Sequence, residues 1–539
     1  MREVVILLGI LASLWIFSLV EAEDRTVYFT WIVEYGDISP LFIKQRGILI
    51  NGQFPGPTVD VITNDNVWVT VVNKLDEPLL FTWNGINQRK SSWQDGVLGT
   101  NCPIPPNSNW TYKMQMKDQI GTYNYFPSTL LHRAAGGFGG FNILARSIIP
   151  VPYLKPYDEF TVLIGDWWKK DQEELQQILD SGNPFPSPDG LLINGNPDST
   201  SFTVVPGQTY LFRVSNVGMT TSINFRIQGH KLALVEVEGS HTLPEMYDSL
   251  DIHVGQSSSF LVTINGAIDP LTDYFIVAST RFMRPTLTAT AILHLQGSKT
   301  AASRELPAAP IGQFHWSMKQ ARTIRWNTTA NAARPNPQGS YHYGSINITR
   351  TVILANSRAE INGKLRYAVN KVSYVNPETP LKLADYYNMT GVFTNSSIDS
   401  LPAGPVVLGT PVLSVILHDF VEIVFQNNES YIQTWHLDGN SFWSVGFGSG
   451  QWNPALRSRF YNIYNAVSRS TVQVYPYSWS AIFVSFDNKG MWNLRSANWQ
   501  RRYLGQELYV KVWNDEPSRS TENGIPDNVI YCGKAKRRN

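Results

Sequence analysis

The chain has 539 residues, a length that favours two to four domains over one. Its 44 lysines and arginines against 43 aspartates and glutamates give a net charge of +1, a balance that indicates neither nucleic acid nor a bulk acidic partner. Hydrophobic residues make up 43% of the chain and aromatic residues 12%, which is typical of a globular protein with large strand-built cores or sugar-facing surfaces.

The N-terminus has the pattern of a secretory signal peptide. Met1 and Arg2 precede an apolar run over 4–20, and the small and polar residues that follow predict cleavage after Ala22. The alternative is an uncleaved membrane anchor, for which the run is slightly short. Removal of 1–22 takes away one arginine and two glutamates, so the net charge rises from +1 to +2. We expect a secreted chain with no transmembrane segment after cleavage.

The C-terminal residues 531–539 are basic and carry no hydrophobic tail, so they do not form a lipid-anchor signal. A solvated, frayed end is the first interpretation of this tail, and a contact with acidic polysaccharide is the alternative. Neither interpretation predicts attachment to a membrane.

The chain has two cysteines, Cys102 and Cys532. An even count in an oxidising compartment predicts a disulfide bond, and two free thiols are the alternative. The bond would close a loop of about 430 residues, and the chain-entropy model gives it at most roughly 5–6 kcal/mol of stabilisation. It would tie the N-terminal third of the chain to its C-terminal end.

Asparagine-linked glycosylation is predicted by sequons that have no proline at the middle position. Because the chain is expected to be secreted, these sequons together indicate a glycoprotein, and we expect each asparagine to face water. The predicted sites are Asn109, Asn327, Asn347, Asn388, Asn395 and Asn428.

A sequence pattern occurs three times at near-domain spacing. Residues 66–73, 209–216 and 420–427 align without a gap, each following a turn, alternating apolar and polar residues, and ending in asparagine. The spacing is too long for a short-repeat solenoid. It predicts three copies of one β-domain.

Other segments fit an all-β chain. Apolar alternation predicts further strands at 161–167, 260–264 and 481–486, and the clearest helix is predicted over 170–180. Residues 297–345 lack periodicity and are interpreted as a long connection. The predicted organisation is a signal peptide at 1–22, domains at 23–150 and 151–300, a connecting segment at 301–345, and a third domain with the C-terminal tail at 346–539.

Several long strings resemble the plant multicopper oxidases, and ascorbate oxidase most closely. The strings are 51–57, 93–97, 99–106 and 235–240. Further strings resemble the skewed-growth (SKU-like) branch of that family, in particular its pollen-specific ascorbate oxidase homologues. These strings are 81–85, 132–140, 333–343 and 503–506. The resemblance implies three cupredoxin-like Greek-key β-sandwich domains, which agrees with the repeat, and a place in the extracellular space, apoplast or cell wall.

The resemblance also assigns the positions at which such oxidases hold copper. They use one cysteine thiolate and ten histidines, whereas this chain has nine histidines in total. Amides, hydroxyls and aryl groups are poor substitutes for thiolate and imidazole as copper ligands. The assigned positions hold Thr82 and Asn84; Phe126 and Ser128; Gln433, His436, Asp438 and Asn440; Asn493, Leu494 and Arg495; and, near the last ligand, Trp499.

His436 is therefore the one ligand that remains. We interpret it as a hydrogen-bonded core histidine, and the alternative is a residual copper site beside Asp438. Copper is implied by resemblance only, and we expect no metal or other cofactor to bind. Arg495 places a permanent cation at a ligand position, where we expect it to neutralise a buried carboxylate such as Asp438.

No catalytic set emerges from the rest of the chain. Asp95, Asp166 and Asp438 invite a paired-carboxylate interpretation, but nothing in the sequence brings them together, so turn or capping roles are expected. We predict a non-catalytic, secreted glycoprotein that acts, by resemblance, in pollen-tube growth and directional cell expansion. Its expected partner is a cell-wall polysaccharide or a receptor ectodomain.

Two alternatives belong to other functional classes. The first is a degenerate copper oxidase with residual activity, which is oxidoreductase chemistry by homology only. The second is a sugar- or phenolic-binding module that uses the emptied copper cavity, lined by Trp83, Tyr125, Trp435 and Arg495.

Overall fold

The structure is a computed structural model, and it describes residues 24–265, 271–303, 305–329, 342–395, 398, 403–516, 518 and 520–538. The expected signal peptide at 1–22 and most of the string 333–343 lie outside the described residues. No helix in the described part is both long and apolar enough to cross a membrane.

The first domain is built from strands alone, apart from short 3-10 turns. Its strands are β1 Thr26–Ile38, β2 Gln45–Ile50, β3 Val59–Ile62, β4 Asn66–Asn73, β5 Phe81–Asn84, β6 Asn109–Gln115, β7 Gly121–Pro127 and β8 Gly139–Leu144. They form two sheets, in the orders β2-β1-β4-β6 and β3-β8-β7-β5. Val69 of one sheet and Phe141 of the other pack in the same apolar cluster, so the two sheets enclose one core.

The second domain repeats this plan with one helix added. Its elements are β9 Asp158–Trp167, α1 Gln172–Asp180, β10 Gly190–Ile193, β11 Thr200–Val204, β12 Thr209–Asn216, β13 Ile223–Ile227, β14 Leu232–Val237, β15 Ser240–Tyr247, β16 Leu250–Ile252, β17 Ser257–Thr263, β18 Tyr274–Thr280 and β19 Thr288–Leu295. The sheets run β10-β9-β12-β17-β14-β15 and β11-β19-β18-β13-β16. Helix α1 begins after Asp171, whose side chain forms a capping box with Glu174, as its Asp-Gln-Glu-Glu start predicts.

The third domain follows helix α2 Phe314–Thr323. Its elements are β20 Arg350–Ile361, β21 Lys364–Val369, β22 Val372–Tyr374, α3 Leu381–Tyr386, β23 Thr394–Asn395, β24 Val407–Gly409, β25 Pro411–Ile416, β26 Phe420–Asn427, β27 Gln433–Leu437, β28 Phe442–Ser449, α4 Arg457–Phe460, β29 Ser468–Arg469, β30 Thr471–Val474, β31 Ser478–Ser485, β32 Gly490–Ser496, α5 Trp499–Tyr503 and β33 Glu507–Trp513. The sheets run β24-β22-β21-β20-β26-β31-β28-β29 and β23-β25-β33-β32-β27-β30. The predicted fold class, three cupredoxin-like β-sandwiches, is confirmed.

The sequence repeat corresponds to one structural unit in each domain. Strands β4, β12 and β26 begin and end where the three aligned segments do. Each pairs in parallel with the first long strand of its domain and antiparallel with a later one. The three additional strands predicted from alternation coincide with β9, β17 and β31, and the last two predicted segments run one residue past the ends of their strands. Apolar periodicity therefore identified the centre of every domain.

The asparagine that ends each repeat copy makes the same hydrogen bonds in all three domains. Asn73, Asn216 and Asn427 each accept from the backbone N–H two residues further on, at 2.9 to 3.0 Å. Each side-chain amide also donates to a carbonyl four or five residues further on, at 2.7 to 2.9 Å. The asparagine therefore closes the turn that leaves the central strand.

The connecting segment 301–345 contains a helix that the sequence did not predict. Helix α2 has no side-chain N-cap and no acidic residue in its first turn, and Arg322 in its last turn is a weak signal by itself. It is held by tertiary contacts instead: the Gln320 amide donates to Ser249 O at 2.8 Å and accepts from Asp251 N at 2.9 Å. Met318 packs into the core of the third domain. Its helical conformation thus depends on contacts that local sequence does not show.

The two cysteines form a disulfide bond, Cys102 to Cys532. The bond fastens the C-terminal segment to the first domain, where the Trp110 indole also donates to Asn528 O at 2.7 Å. Ala535 packs beside Cys102 in a small apolar cluster. The basic C-terminal segment is thus docked through residue 535, and the expectation of a frayed end is wrong for this stretch.

Five of the six sequon asparagines are exposed, as expected: Asn109, Asn347, Asn388, Asn395 and Asn428. Asn327 is the exception, because it is only 9% exposed. Its side-chain oxygen accepts hydrogen bonds from the backbone and hydroxyl of Thr329. The expectation that all six face water is therefore wrong at Asn327.

Candidate functional site

The positions assigned to copper ligands lie where the first and third domains meet. On the first domain, Thr82 of β5 pairs with Phe126 of β7. On the third, His436 of β27 pairs with Arg495 of β32. Among the hydrogen bonds that cross between these domains, Arg502 donates to Ser128 O and the Trp499 indole donates to Leu130 O, each at 2.9 Å.

His436 lies in a buried chain of hydrogen bonds. Its Nε2 is 3.0 Å from Asp438 Oδ1, and its Nδ1 is 2.7 Å from the Thr471 hydroxyl. The other oxygen of Asp438 forms a salt bridge with Arg495. All these side chains are buried. The prediction that Arg495 neutralises Asp438 is confirmed.

Burial and neighbouring charges determine the protonation states of the side chains in this hydrogen-bonded chain. Burial by itself raises the pKa of Asp438, but the charge of Arg495 and the hydrogen bond from His436 outweigh it and lower the pKa to about 2. Burial lowers the pKa of His436, and the Arg495 guanidinium lowers it further. The imidazole is therefore neutral at pH 7, with Nε2 donating to Asp438 and Nδ1 accepting from Thr471.

Asp95 is brought to this cluster, contrary to the sequence analysis. Burial raises the pKa of Asp95 well above its ordinary value, and the negative charge of Asp438 and a hydrogen bond between the two carboxyls raise it further. Within this carboxyl pair Asp438 is therefore the ionised member at neutral pH, and Asp95 is the member that binds its proton more tightly. This pairing had no local sequence signal, because Asp95 follows a 3-10 turn of the first domain and its partner belongs to the third.

Asp166, by contrast, has the turn role that was expected. Its carboxylate accepts from Met219 N at 2.6 Å and from Thr220 N at 2.9 Å. These bonds hold a turn of the second domain.

Two further ligand positions belong to a second polar network. The Asn493 amide donates to Glu507 Oε2 at 3.0 Å, and the same carboxylate oxygen accepts from Arg502 at 3.1 Å. Gln433 donates to Asn427 at 3.0 Å and accepts from Gln506 at 3.1 Å. Each amide thus has protein hydrogen-bond partners.

Phe126 and Trp499 form an aromatic stack with an arginine. Their rings meet edge to face with centroids 5.2 Å apart. The guanidinium carbon of Arg133 lies 3.8 Å from the Phe126 centroid and 5.4 Å from that of Trp499. Burial lowers the pKa of Arg133 to about 9, so the guanidinium keeps its charge at neutral pH and is held by ring faces.

The remaining ligand positions are also buried. Asn84 donates to Gly255 O of the second domain at 3.0 Å, and the Ser128 hydroxyl donates to Gly96 O at 2.5 Å. Leu494 packs in the core of the third domain. The Thr82 hydroxyl and the Asn440 amide have no protein partner within the described residues.

The donor groups at these positions do not fit copper. Copper sites of this family type need soft thiolate and several imidazoles, but both cysteines are consumed in the disulfide. The single imidazole has both nitrogens engaged. Arg495 adds a positive charge that would oppose a cation. These side chains therefore do not provide the ligand set on which copper chemistry depends.

The aromatic residues expected to line an emptied cavity do not converge. Trp83 and Tyr125 pack in the core of the first domain, with ring centroids 6.1 Å apart. Trp435 stacks on Phe425 in the core of the third domain. Only Arg495 lies at the ligand positions. The predicted lining is therefore wrong, because these aromatic side chains point into two separate sandwiches.

Several residues of the site were missed by sequence reasoning, among them Arg133, Arg502 and Glu507. Each lies in or near a string that carries the resemblance, at 132–140 and 503–506. A charged residue at the start of a largely apolar strand, such as Glu507 in β33, was the available signal. Their partners are distant in sequence, so the contacts themselves were not predictable.

Comparison with known proteins identifies the relatives of this fold. Family models described as "Multicopper oxidase" match residues 32–147, 158–298 and 378–518. The chain is 52% identical to an "L-ascorbate oxidase homolog" of Brassica napus over 96% of this chain and 94% of that protein. It is 48% identical to "Monocopper oxidase-like protein SKU5" of Arabidopsis thaliana over 95% of this chain and 90% of that protein.

Solved structures show the same fold at lower sequence identity. A laccase from Botrytis aclada superposes with a TM-score of 0.78 at 22% identity, covering 93% of this chain and 89% of the laccase. This likeness supports the three-sandwich architecture.

Proposed function

The chain belongs to the multicopper oxidase family, and we propose that it is a secreted glycoprotein of the plant cell wall that has lost oxidase activity. In this proposal the three-domain body persists as a rigid binding scaffold. It presents surfaces to a wall polysaccharide or a receptor ectodomain. Its role in pollen-tube growth and directional cell expansion rests on the resemblance to the skewed-growth branch.

One observation carries the proposal. At the copper-ligand positions, Arg495 forms a buried salt bridge with Asp438, which also binds the one remaining imidazole, His436. A buried cation and its counter-ion neutralise each other's charge, and a second cation would have to disrupt this pair. The cluster is therefore explained as a structural replacement for a metal centre.

The stability of the shared fold supports the scaffold role. The domains are joined by the buried polar contacts described above and by the Cys102–Cys532 disulfide. The second and third domains also share one apolar cluster, which includes Trp443 and Trp479. Each pair of domains is therefore joined, which suits a protein that works by presenting fixed surfaces.

The direct test is activity and metal content of the secreted, purified protein. We expect no stoichiometric copper and no oxygen uptake with ascorbate or a phenolic substrate, while an active ascorbate oxidase assayed in parallel shows both. Stoichiometric copper together with oxygen uptake would instead establish a degenerate oxidase with residual activity.

A further inference from the structure

A polar groove lies on the outer face of the first domain, away from the copper-ligand positions. It encloses about 360 Å³ and its lining includes Trp68, Gln88, Lys90, Lys113, Gln115 and Lys117. This volume falls within the range of about 300–1,000 Å³ that is typical of small-ligand sites. The groove is therefore large enough to hold part of an extended polymer.

The sheet places aromatic and basic side chains in one row across three strands. Tyr28 of β1 is in register with Trp68 of β4, and Trp68 is in register with Lys113 of β6. The two rings meet edge to face with centroids 5.4 Å apart, and the Lys113 ammonium lies 4.5 Å from the Trp68 centroid. Tyr28 is 68% exposed. Aromatic side chains on the solvent face of a sheet are available for contact with a ligand.

The charge of the groove is positive and partly uncompensated. Arg89 is paired with Asp487 at 2.5 Å, and Lys117 lies 3.7 Å from Asp118. No carboxylate in the described part of the chain lies within 4 Å of the ammonium groups of Lys90 or Lys113. Neither ammonium has a carboxylate partner there, so both can pair with an anionic ligand, Lys113 from its position over the Trp68 ring.

Amide groups complete the lining. Gln115 donates to Asp24 at 3.2 Å, leaving its carbonyl available as an acceptor. Gln88 is only 2% exposed, and its side-chain oxygen has no partner within the described residues. Amide donors and acceptors beside an aromatic face suit the hydroxyls and the apolar ring face of a sugar.

We propose that this groove binds an acidic polysaccharide built of uronic acids, with Trp68 and Tyr28 contacting sugar rings and Lys90 and Lys113 pairing with their carboxylates. The inference rests on the proposed function, since it names the wall partner of the scaffold. A positive charge confined to one face is compatible with the net charge of +1 of the whole chain. An acidic peptide or an anionic membrane would use the lysines but not the aromatic row.

The test is isothermal titration of the secreted protein with oligogalacturonate and, in parallel, with its methyl ester. We expect the acid form to bind and the ester to bind at least about tenfold more weakly, because esterification removes the charges that pair with lysine. Raising the salt concentration should weaken binding of the acid form. Absence of binding to oligogalacturonate would overturn the proposal, whatever the copper content of the protein.

Variants separate this site from general attraction of a polyanion. We expect Lys90→Ala/Lys113→Ala and Trp68→Ala each to weaken binding by about tenfold. The matched control Lys170→Ala/Lys299→Ala removes two exposed lysines elsewhere and should leave binding unchanged. Trp68→Phe should restore most of the affinity lost in Trp68→Ala, and melting curves confirm that each variant is folded.

Titration with dextran sulfate tests whether the groove binds polyanions by charge attraction alone. Binding of dextran sulfate that equals that of oligogalacturonate, with both unaffected by Trp68→Ala, would show charge attraction only and overturn the proposal. Selective loss of oligogalacturonate binding in Trp68→Ala supports it.

Discussion

Arg495 is the residue on which the replacement of the metal centre depends. A guanidinium is charged at every physiological pH, so it compensates the buried Asp438 carboxylate permanently. It also donates to the Asn493 side chain at 3.2 Å, which joins two ligand positions. One side chain therefore organises the centre of the site.

Arg495→Leu should be strongly destabilising. It would leave Asp438 buried without its counter-ion, and loss of one partner of a buried pair costs about 3–5 kcal/mol. The free energy of unfolding in urea measures the effect. The double variant Arg495→Leu/Asp438→Leu is the control, since removal of both charges should restore most of the lost stability. Equal losses in the single and double variants would contradict the role assigned to the pair.

Asp95 predicts an unusual dependence of stability on pH. Because its pKa is raised in the folded state, the folded form binds a proton that the unfolded form releases above about pH 4. The contribution of Asp95 to stability is therefore fully present below about pH 4 and is lost as pH rises towards its folded pKa, by about 1.4 kcal/mol per pH unit.

Asp95→Asn removes this proton while retaining a hydrogen-bond donor towards Asp438. We expect the variant to gain stability relative to the natural protein as pH rises above about 4, where the unfolded carboxyl is ionised while folded Asp95 still binds its proton. Denaturant melts of both proteins at several pH values measure the difference. A difference that stays constant with pH would show that Asp95 is ionised in the folded protein.

At the scale of elements, the hairpin of β14 and β15 joins all three domains. Glu236 accepts from Thr122 N of the first domain at 3.0 Å. Glu238 accepts from Arg469 at 2.7 Å and from Thr471 N at 2.9 Å, both in the third domain. The string 235–240, which carried part of the resemblance, therefore has a structural role. Its two carboxylates accept hydrogen bonds from the neighbouring domains and act as a clamp between them.

Glu238→Ala should cost about 3 kcal/mol of unfolding free energy, because it leaves Arg469 and two backbone N–H groups without their acceptor. Glu245→Ala on the exposed end of β15 is the matched control and should change stability by less than about 0.5 kcal/mol. Chemical denaturation of both variants measures this. A small effect at Glu238 would show that the domains are held without the clamp.

Predictions of individual strands and helices from the sequence succeeded or failed for identifiable physical reasons. Strands β4, β12 and β26 alternate and end in a turn-forming asparagine, so local sequence was enough. Helix α2 has no such signal, and it forms because Gln320 and Met318 find partners in distant strands. Asn327 lies in the same connecting segment, 301–345, and its burial also depends on tertiary structure. The sequon alone could therefore not predict that burial.

At the scale of the whole molecule, three sandwiches are joined so that ligand positions from two of them meet. The resemblance located those positions in the sequence, and the structure places Arg495 on Asp438 as expected. The resemblance could not predict the Asp95–Asp438 pair, the Glu507–Arg502 network or the separation of Trp83 from Trp435. Each of these depends on domain packing, which connects residues far apart in the chain.

Replacement of the metal centre by the protein's own side chains can be tested by copper titration of the purified protein. Bound copper is counted after dialysis, for the natural protein and for His436→Ala. We expect that neither retains stoichiometric copper, because His436 is committed to Asp438 and Thr471. Stoichiometric copper in the natural protein that is lost in His436→Ala would show instead that a metal site survives.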